Sequence, residues 1–264
     1  IPSMCIYSFR NNLSRELLGE SVPMLLAGFC SCLLDFILAF ALGKLLRLPR
    51  RKLGIFVMMC AVSNCVFIGL AMCTELFGSE CTPYVMLYWM VSTTFMQLGG
   101  VSLVRWSGEA GGFSAKMLLH FLKTPTILGT LAAIALVLLD VRLPALVMTY
   151  CRYMNNLVTP LALLLTGYII HELGLKNLRI DRALGAMLLF RFIAAPAVCA
   201  LFCAAFGVAG LARSVYIVEA AMPVVTQTVV ASAEYGADEQ FAAQGAALST
   251  LACFVVIPVL MILL

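Results

Sequence analysis

The chain has 264 residues, 63% of them hydrophobic and only 11% charged, with a formal net charge of +4. A water-soluble domain carries roughly 25% charged residues because its surface must face water, so this composition excludes an ordinary soluble protein. With a mean hydropathy of +1.04, the chain reads as an all-α polytopic membrane protein.

Apolar runs alternate with short polar connections, and the runs approach the ~20 residues a helix needs to cross a hydrocarbon core of about 30 Å. Backbone amides in lipid must be satisfied within their own segment, which makes the spans helical. The short, alternating segments of a membrane barrel are absent. In chain order, a partial helix at Ile1–Phe9 is followed by a polar connection, Arg10–Glu20. Spans are predicted at 21–46, 54–77, 83–104, 124–139, 144–170, 183–209, 213–234 and 241–264. The longest polar connection, 105–123, is the natural midpoint.

The spans and breaks repeat. An offset of 158 residues relates Pro2 to Pro160 and Gly78 to Gly236, and places span 21–43 over 179–201 and span 83–104 over 241–262. The second half shows five spans, and the first shows four and begins inside one. The expected architecture is therefore an inverted repeat of two five-helix units, with nine of ten helices present and the first missing. Residues 1–104 form the first repeat (helices 2–5), 105–123 a cytoplasmic connection, and 124–264 the second repeat (helices 6–10).

Basic residues mark the sides. Lys44, Arg47, Arg50, Arg51 and Lys52, then Arg105, Lys116 and Lys123, then Lys176, Arg179 and Arg182 crowd alternate connections. The others hold only Arg10, Arg15, Arg142 and Arg213. The basic connections are expected in the cytoplasm, with the C-terminus outside a cell membrane (inner or plasma membrane). One expected cytoplasmic connection, Tyr235–Gln240, is acidic and carries neither Lys nor Arg.

The eleven cysteines form no C-x-x-C pair, and the histidines are His120 and His171 alone. Metal sites want clustered ligands at set spacing, so no metal or other cofactor is expected, and the thiols read as packing residues. No H-E-x-x-H or G-x-S-x-G occurs, so the chain is read as a non-enzyme.

Two spans look interrupted. Span 54–77 carries Ser63-Asn64 in its middle with Gly69 after it; span 213–234 carries Pro223, then Thr226, Gln227 and Thr228. At the 158-residue offset Met222 matches Asn64 and Pro223 matches Cys65. Proline removes an amide and clashes with the preceding turn, while Asn and Gln offer both donors and acceptors. Interrupted helices at equivalent places are how many transporters build a substrate site near the midplane. Three charged residues also lie within spans, where they are costly and hence functional suspects. Glu219, one turn before Pro223, and Asp35 are candidates for proton coupling or a charged vestibule. Arg191 joins them as a partner for an acid or for a substrate carboxylate.

The stretch AAMPVVTQTVVASAEYGADEQFAAQGAALSTLACFVVIPVLMILL resembles the closing helices of the auxin efflux carrier family, with its Met-Pro, Tyr-Gly, Ser-Thr and final Pro. SNCVFIGLAMCTELFG is similar to that family's other broken helix, and KTPTILGTLAAI and LVTPLALLLTGYII match as well. The resemblance implies ten helices in two inverted repeats with crossing broken helices. It implies a carrier of small organic anions, in the manner of bacterial malate or malonate permeases, with Asn64, Pro223, Thr226 and Gln227 at the substrate site. It also allows a homodimer, with H⁺ a candidate coupling ion and the lipid bilayer, not nucleic acid, as surroundings. The sequence departs from the family pattern at Ala71, where a Pro is usual, at Cys65-Val66 in place of Thr-Gly, and at Gln227 in place of Asn. A channel is the competing reading, since channels also use broken helices.

Overall fold

The computed structural model describes Ser3, Ile6, Tyr7 and residues 21–108, 125–139, 141, 143–173 and 180–263. Connection 10–20, most of connection 105–123, and residues 174–179 lie outside the described residues, as does all but three residues of the expected helix 1–9. Among the described residues the fold is helical throughout, with a single isolated bridge in place of any strand.

Helix α1 (Val22–Leu45) opens with a proline in its first turn, where the missing amide has no partner to lose. It ends at Arg47, which takes a left-handed φ of 53° while the Leu48 amide reaches back to the Gly43 carbonyl at 3.1 Å. That pairing closes the helix end by satisfying a carbonyl otherwise orphaned. Helices α2 (Arg50–Ala61) and α3 (Leu70–Phe77) follow, joined by a break and a π-helical turn, Cys65–Gly69. Next come α4 (Thr82–Phe95), a second π turn at Met96–Gly100, and α5 (Val101–Ser107). Helices α6 (Pro125–Leu138) and α7 (Ala145–Leu173) occupy the middle of the chain. Helices α8 (Arg182–Leu189) and α9 (Ala195–Ala205) run as one rod through a third π turn, Phe190–Ala194. Helices α10 (Gly210–Ala220) and α11 (Gln227–Glu234) flank the second break, and α12 (Glu239–Leu263) closes the chain.

Three of these rods are long and apolar enough to cross a membrane unaided. They are Val22–Leu45, Arg182–Ala205 and Glu239–Ile262, with mean hydropathies of 2.3, 2.1 and 2.3. The two broken spans differ. Helix α2 has 12 residues, about 18 Å of helix, so it reaches only partway and needs α3 to complete the crossing. It starts at Arg50, four residues earlier than the apolar run suggests, because its basic first turn lies at the bundle end. From Leu53 to Ala61 every residue of α2 is buried. A helix buried all round is a central helix, and α10 is buried in the same way from Val215 to Ala220.

The rods α1, α8–α9 and α12 enclose the broken helices. Helix α1 packs on α2, α4 and α9; α2 on α5 and α12; α10 on α4 and α9; α11 on α12 and α5. Helix α7 lies against α12 and the π turn Cys65–Gly69, so it borders the first break from outside. Helices α2 and α5 approach closely at Gly54. There the amide donates to Ser107 Oγ at 2.8 Å, and a Cβ would strike the Leu103 carbonyl.

The turn after α1 recurs after α9. Gly207 has φ 70° and the Val208 amide bonds the Cys203 carbonyl at 2.8 Å, as Leu48 bonds Gly43. These equivalent positions stand 160 residues apart, whereas the left-handed glycines that close α3 (Gly78) and follow α11 (Gly236) stand 158 apart. The constant offset of 158 expected from sequence therefore needs correction. Between these two landmarks the second half, Gly207 to Gly236, is therefore two residues shorter than the first, Arg47 to Gly78.

The acidic connection after α11 sits among the basic ones. Lys52 Nζ is 3.7 Å from Asp238, Arg51 donates to the Gly236 carbonyl at 3.0 Å, and the Arg105 guanidinium lies over the Tyr235 ring. The connection lacks its own basic residues but shares an end of the bundle with those that have them.

Overpacking at a helix contact of this kind costs about 1–3 kcal/mol. Gly54→Val is expected to lower the melting temperature of the detergent-purified protein, and Ser107→Ala to lower it less, measured by scanning fluorimetry.

Candidate functional site

The two breaks lie against each other. Helix α2 ends at Ala61, Val62 is extended (φ −113°, ψ 124°), and Asn64 takes φ −83°, ψ 65° before the π turn begins. Across from it, α10 ends at Ala220 and the chain passes through Pro223 and Val224 to α11. Proline cannot donate to the helix it interrupts, but its carbonyl is free to accept. The Asn64 amide donates to the Pro223 carbonyl at 2.9 Å, and Ser63 and Val224 form an antiparallel bridge. On its other side the Val224 amide donates to Ser249 Oγ of α12 at 3.0 Å, and that hydroxyl donates to the Ala246 carbonyl at 3.1 Å. Unwound backbone inside a membrane must be satisfied by protein or by a water-lined cavity, and here much of it is satisfied across the crossing.

Four half-helices meet at this point, with two kinds of end. Helices α2 and α10 arrive with their C-terminal carbonyls, while the π turn leading to α3, and α11 itself, leave with their N-terminal amides. Carbonyl ends carry partial negative charge and amide ends partial positive charge. Arg191 sorts them. Only 1% exposed, its guanidinium donates to the Cys60 carbonyl at 2.7 Å, to Ala220 at 2.9 Å and to Met222 at 2.8 Å. One cation thus holds the carbonyl ends of both broken helices.

Of the residues singled out from sequence, Asn64 (2% exposed), Pro223 and Thr226 are buried together at the crossing. Gln227, the first residue of α11, is half-buried. Glu219 is fully buried in the last turn of α10. Its Oε1 accepts from Cys73 Sγ of α3 at 3.3 Å, and a Cβ on Gly69 would lie 2.5 Å from Oε2. Asp35, 2% exposed on α1, has its Oδ1 without a hydrogen-bond partner, as does the Ser31 hydroxyl one turn before it. Arg191, expected to partner an acid or a substrate carboxylate, binds backbone carbonyls, and among the described residues neither Asp35 nor Glu219 forms an ion pair with it.

Reading the sequence gave no role to Ser249 or Cys73, and noted Gly69 only as part of the first break. Ser249 had a signal, since it opens the Ser-Thr pair in the C-terminal stretch. Its part in fixing Val224 depends on α12 lying behind the second break. Gly69 follows Asn64 closely enough to draw notice, but the acid that requires its missing side chain is 150 residues away.

Comparison with known proteins accords with this architecture. A model of a family described as membrane transport protein matches residues 1–113 and 112–261. A protein of Methanocaldococcus jannaschii described as an uncharacterized transporter is 25% identical over 261 residues, covering 95% of this chain and 81% of the relative.

Hydrogen bonds to a charged group contribute about 1.5–3 kcal/mol each, and breaking a buried set leaves its partners unsatisfied. Arg191→Met is expected to destabilise the purified protein by about 3 kcal/mol or more and Arg191→Lys by less, as read from thermal unfolding. Equal stability of all three proteins would mean that the carbonyl ends do not depend on this cation.

Proposed function

The chain belongs to the membrane transport protein family, which groups it with the auxin efflux carriers it resembles, and from that premise we propose that this membrane transporter carries small organic anions. Dicarboxylates and other small carboxylates are the substrate class, and alternating access is the mechanism. One observation supports the anion preference: Arg191 neutralises the carbonyl ends at the crossing, while among the described residues no acidic side chain hydrogen-bonds the amide ends. Helix N-termini attract carboxylates through the positive end of the helix dipole, and the side-chain amides of Asn64 and Gln227 add donors of the right kind. Pro223 and Thr226 shape the same crossing.

Bond-breaking chemistry is not required of such a site. Binding replaces water around the carboxylate with fixed dipoles. Access alternates as the bundle holding the crossing rocks against its neighbours, among which α7 touches the first break. The recurrence of the closing turns after α1 and α9 supports two structurally equivalent halves, and an inverted arrangement of them is part of this reading. The basic ends joined to the Asp238 connection support a cytoplasmic side there, in a cell membrane.

The test is uptake of radiolabelled malonate and succinate by proteoliposomes containing the wild type, Asn64→Ala or Gln227→Ala. Loss of one bond to a charged ligand corresponds to about a 10- to 100-fold fall in uptake, with unchanged amounts of folded protein. Saturable flux accelerated by unlabelled anion on the opposite side marks a carrier. Ohmic current without such exchange, or full uptake by both variants, would refute the proposal.

A further inference from the structure

Among the described residues, Glu219 is the one buried acid that lies directly at the junction of the two broken helices. It belongs to α10, yet its carboxyl rests on the first broken helix: Cys73 Sγ donates to Oε1 at 3.3 Å, and Gly69 presents bare backbone to both oxygens. Gly69 is needed for this, since a side chain there would occupy the carboxyl's place. Oε2 has no hydrogen-bond partner, and the residue is 0% exposed. The cation nearest in kind, Arg191, bonds the carbonyls of Ala220 and Met222 on either side of the same turn. Its three hydrogen bonds among the described residues go to backbone carbonyls, and none of them to this acid.

The groups that face Glu219 from neighbouring elements are weak acids. The π turn and α3 supply Cys65 and Cys73, and the short turn before α4 supplies Cys81. Tyr216 on α10 itself stacks edge-on against Tyr88 of α4, and Cys199 of α9 lies against the Tyr216 carbonyl. An ionised carboxylate in this setting is shut off from solvent and forms no salt bridge among the described residues, and such burial is costly. A neutral carboxylic acid fits the same space with one proton to spare.

We propose that Glu219 is an exchangeable proton site beside the crossing, and that its proton is taken up together with the anionic substrate. The inference rests on the anion reading above and assigns its coupling. Glu219 lies one turn before Pro223 and its carboxyl touches Gly69, five residues beyond Asn64. A carboxylate here and a substrate carboxylate at the amide ends repel each other in a medium that screens poorly. Proton binding converts Glu219–COO⁻ to Glu219–COOH, removes that repulsion and lowers the negative charge the loaded protein must carry. As pH rises through the titration of Glu219 the proton is lost, and anion binding weakens with it.

Two measurements test this. Infrared difference spectra of the lipid-reconstituted protein, wild type minus Glu219→Gln, are expected to show a protonated carboxyl band near neutral pH that disappears in alkali. This needs no substrate, so it decides the proton site even if malonate proves not to be carried. Absence of the band from the wild type would overturn the proposal. The second measurement is malonate uptake across a pH series. The wild type is expected to lose about tenfold of its apparent affinity between the acidic and alkaline ends, and to accumulate malonate when the outside is acidified. Glu219→Gln, which mimics the acid form, should exchange malonate with a flat pH profile and no accumulation, while Glu219→Asp restores the slope. Identical profiles in wild type and Glu219→Gln would refute proton coupling at this residue and leave the anion site itself standing.

Discussion

The crossing of the two broken helices depends on Arg191. Ending a helix inside a membrane exposes carbonyls that neither water nor the next turn can satisfy. Two helices end in this way within one bundle, and their negative ends converge on the same small volume. A single guanidinium meets three of those carbonyls, from Cys60, Ala220 and Met222. Its planar, multiply donating head suits this task better than an ammonium would. The charge is also of the sign that two carbonyl ends require.

From that contact the rest of the interior follows. With their carbonyl ends held, Ser63 and Val224 can pair in the short bridge, and the Asn64 amide can bond the Pro223 carbonyl. Ser249 takes the amide that faces away from the bridge. Helices α2 and α10 are buried all round by α1, α4, α5, α9 and α12. The unwound residues are thereby sheltered from lipid, the condition on which irregular backbone is tolerated at membrane depth. The polarity left over is that of the amide ends, and the proposed preference for anions rests on that remainder. The Glu219 carboxyl of one broken helix rests on Gly69 of the other.

The outer parts of the bundle answer to a different requirement. Exposed apolar side chains such as Phe29 and Ile37 of α1 and Phe254 and Val255 of α12 would be anomalous in water and are ordinary in lipid. At the bundle end where Arg51, Lys52 and Arg105 gather, cations lie over the rings of Phe241 and Tyr235 and beside Asp238. Long basic side chains can do this at a membrane boundary because their stems remain in apolar surroundings while their heads reach polar groups.

The amino-acid sequence by itself determined the solvent, the helical class and the positions of the two breaks. Each of these follows from local chemistry: a run of apolar residues has one stable conformation in lipid, and Pro223 or the pair Ser63-Asn64 interrupts it wherever it stands. It also pointed to Asn64, Pro223 and Thr226, which are buried together, and to Glu219, Asp35 and Arg191 as charges in need of explanation. What those charges touch was decided by tertiary structure. Arg191 was expected to meet a carboxylate, the strongest partner that residue types suggest, yet helix ends packed at a crossing present a denser set of acceptors than any one side chain. The registers of the two halves, 160 residues apart before the breaks and 158 beyond them, likewise depend on how each break is built, which composition does not reveal. Contacts such as Gly69 with Glu219 join residues far apart in the chain. They exist because two interrupted helices must satisfy each other's backbone, a condition written in no single segment.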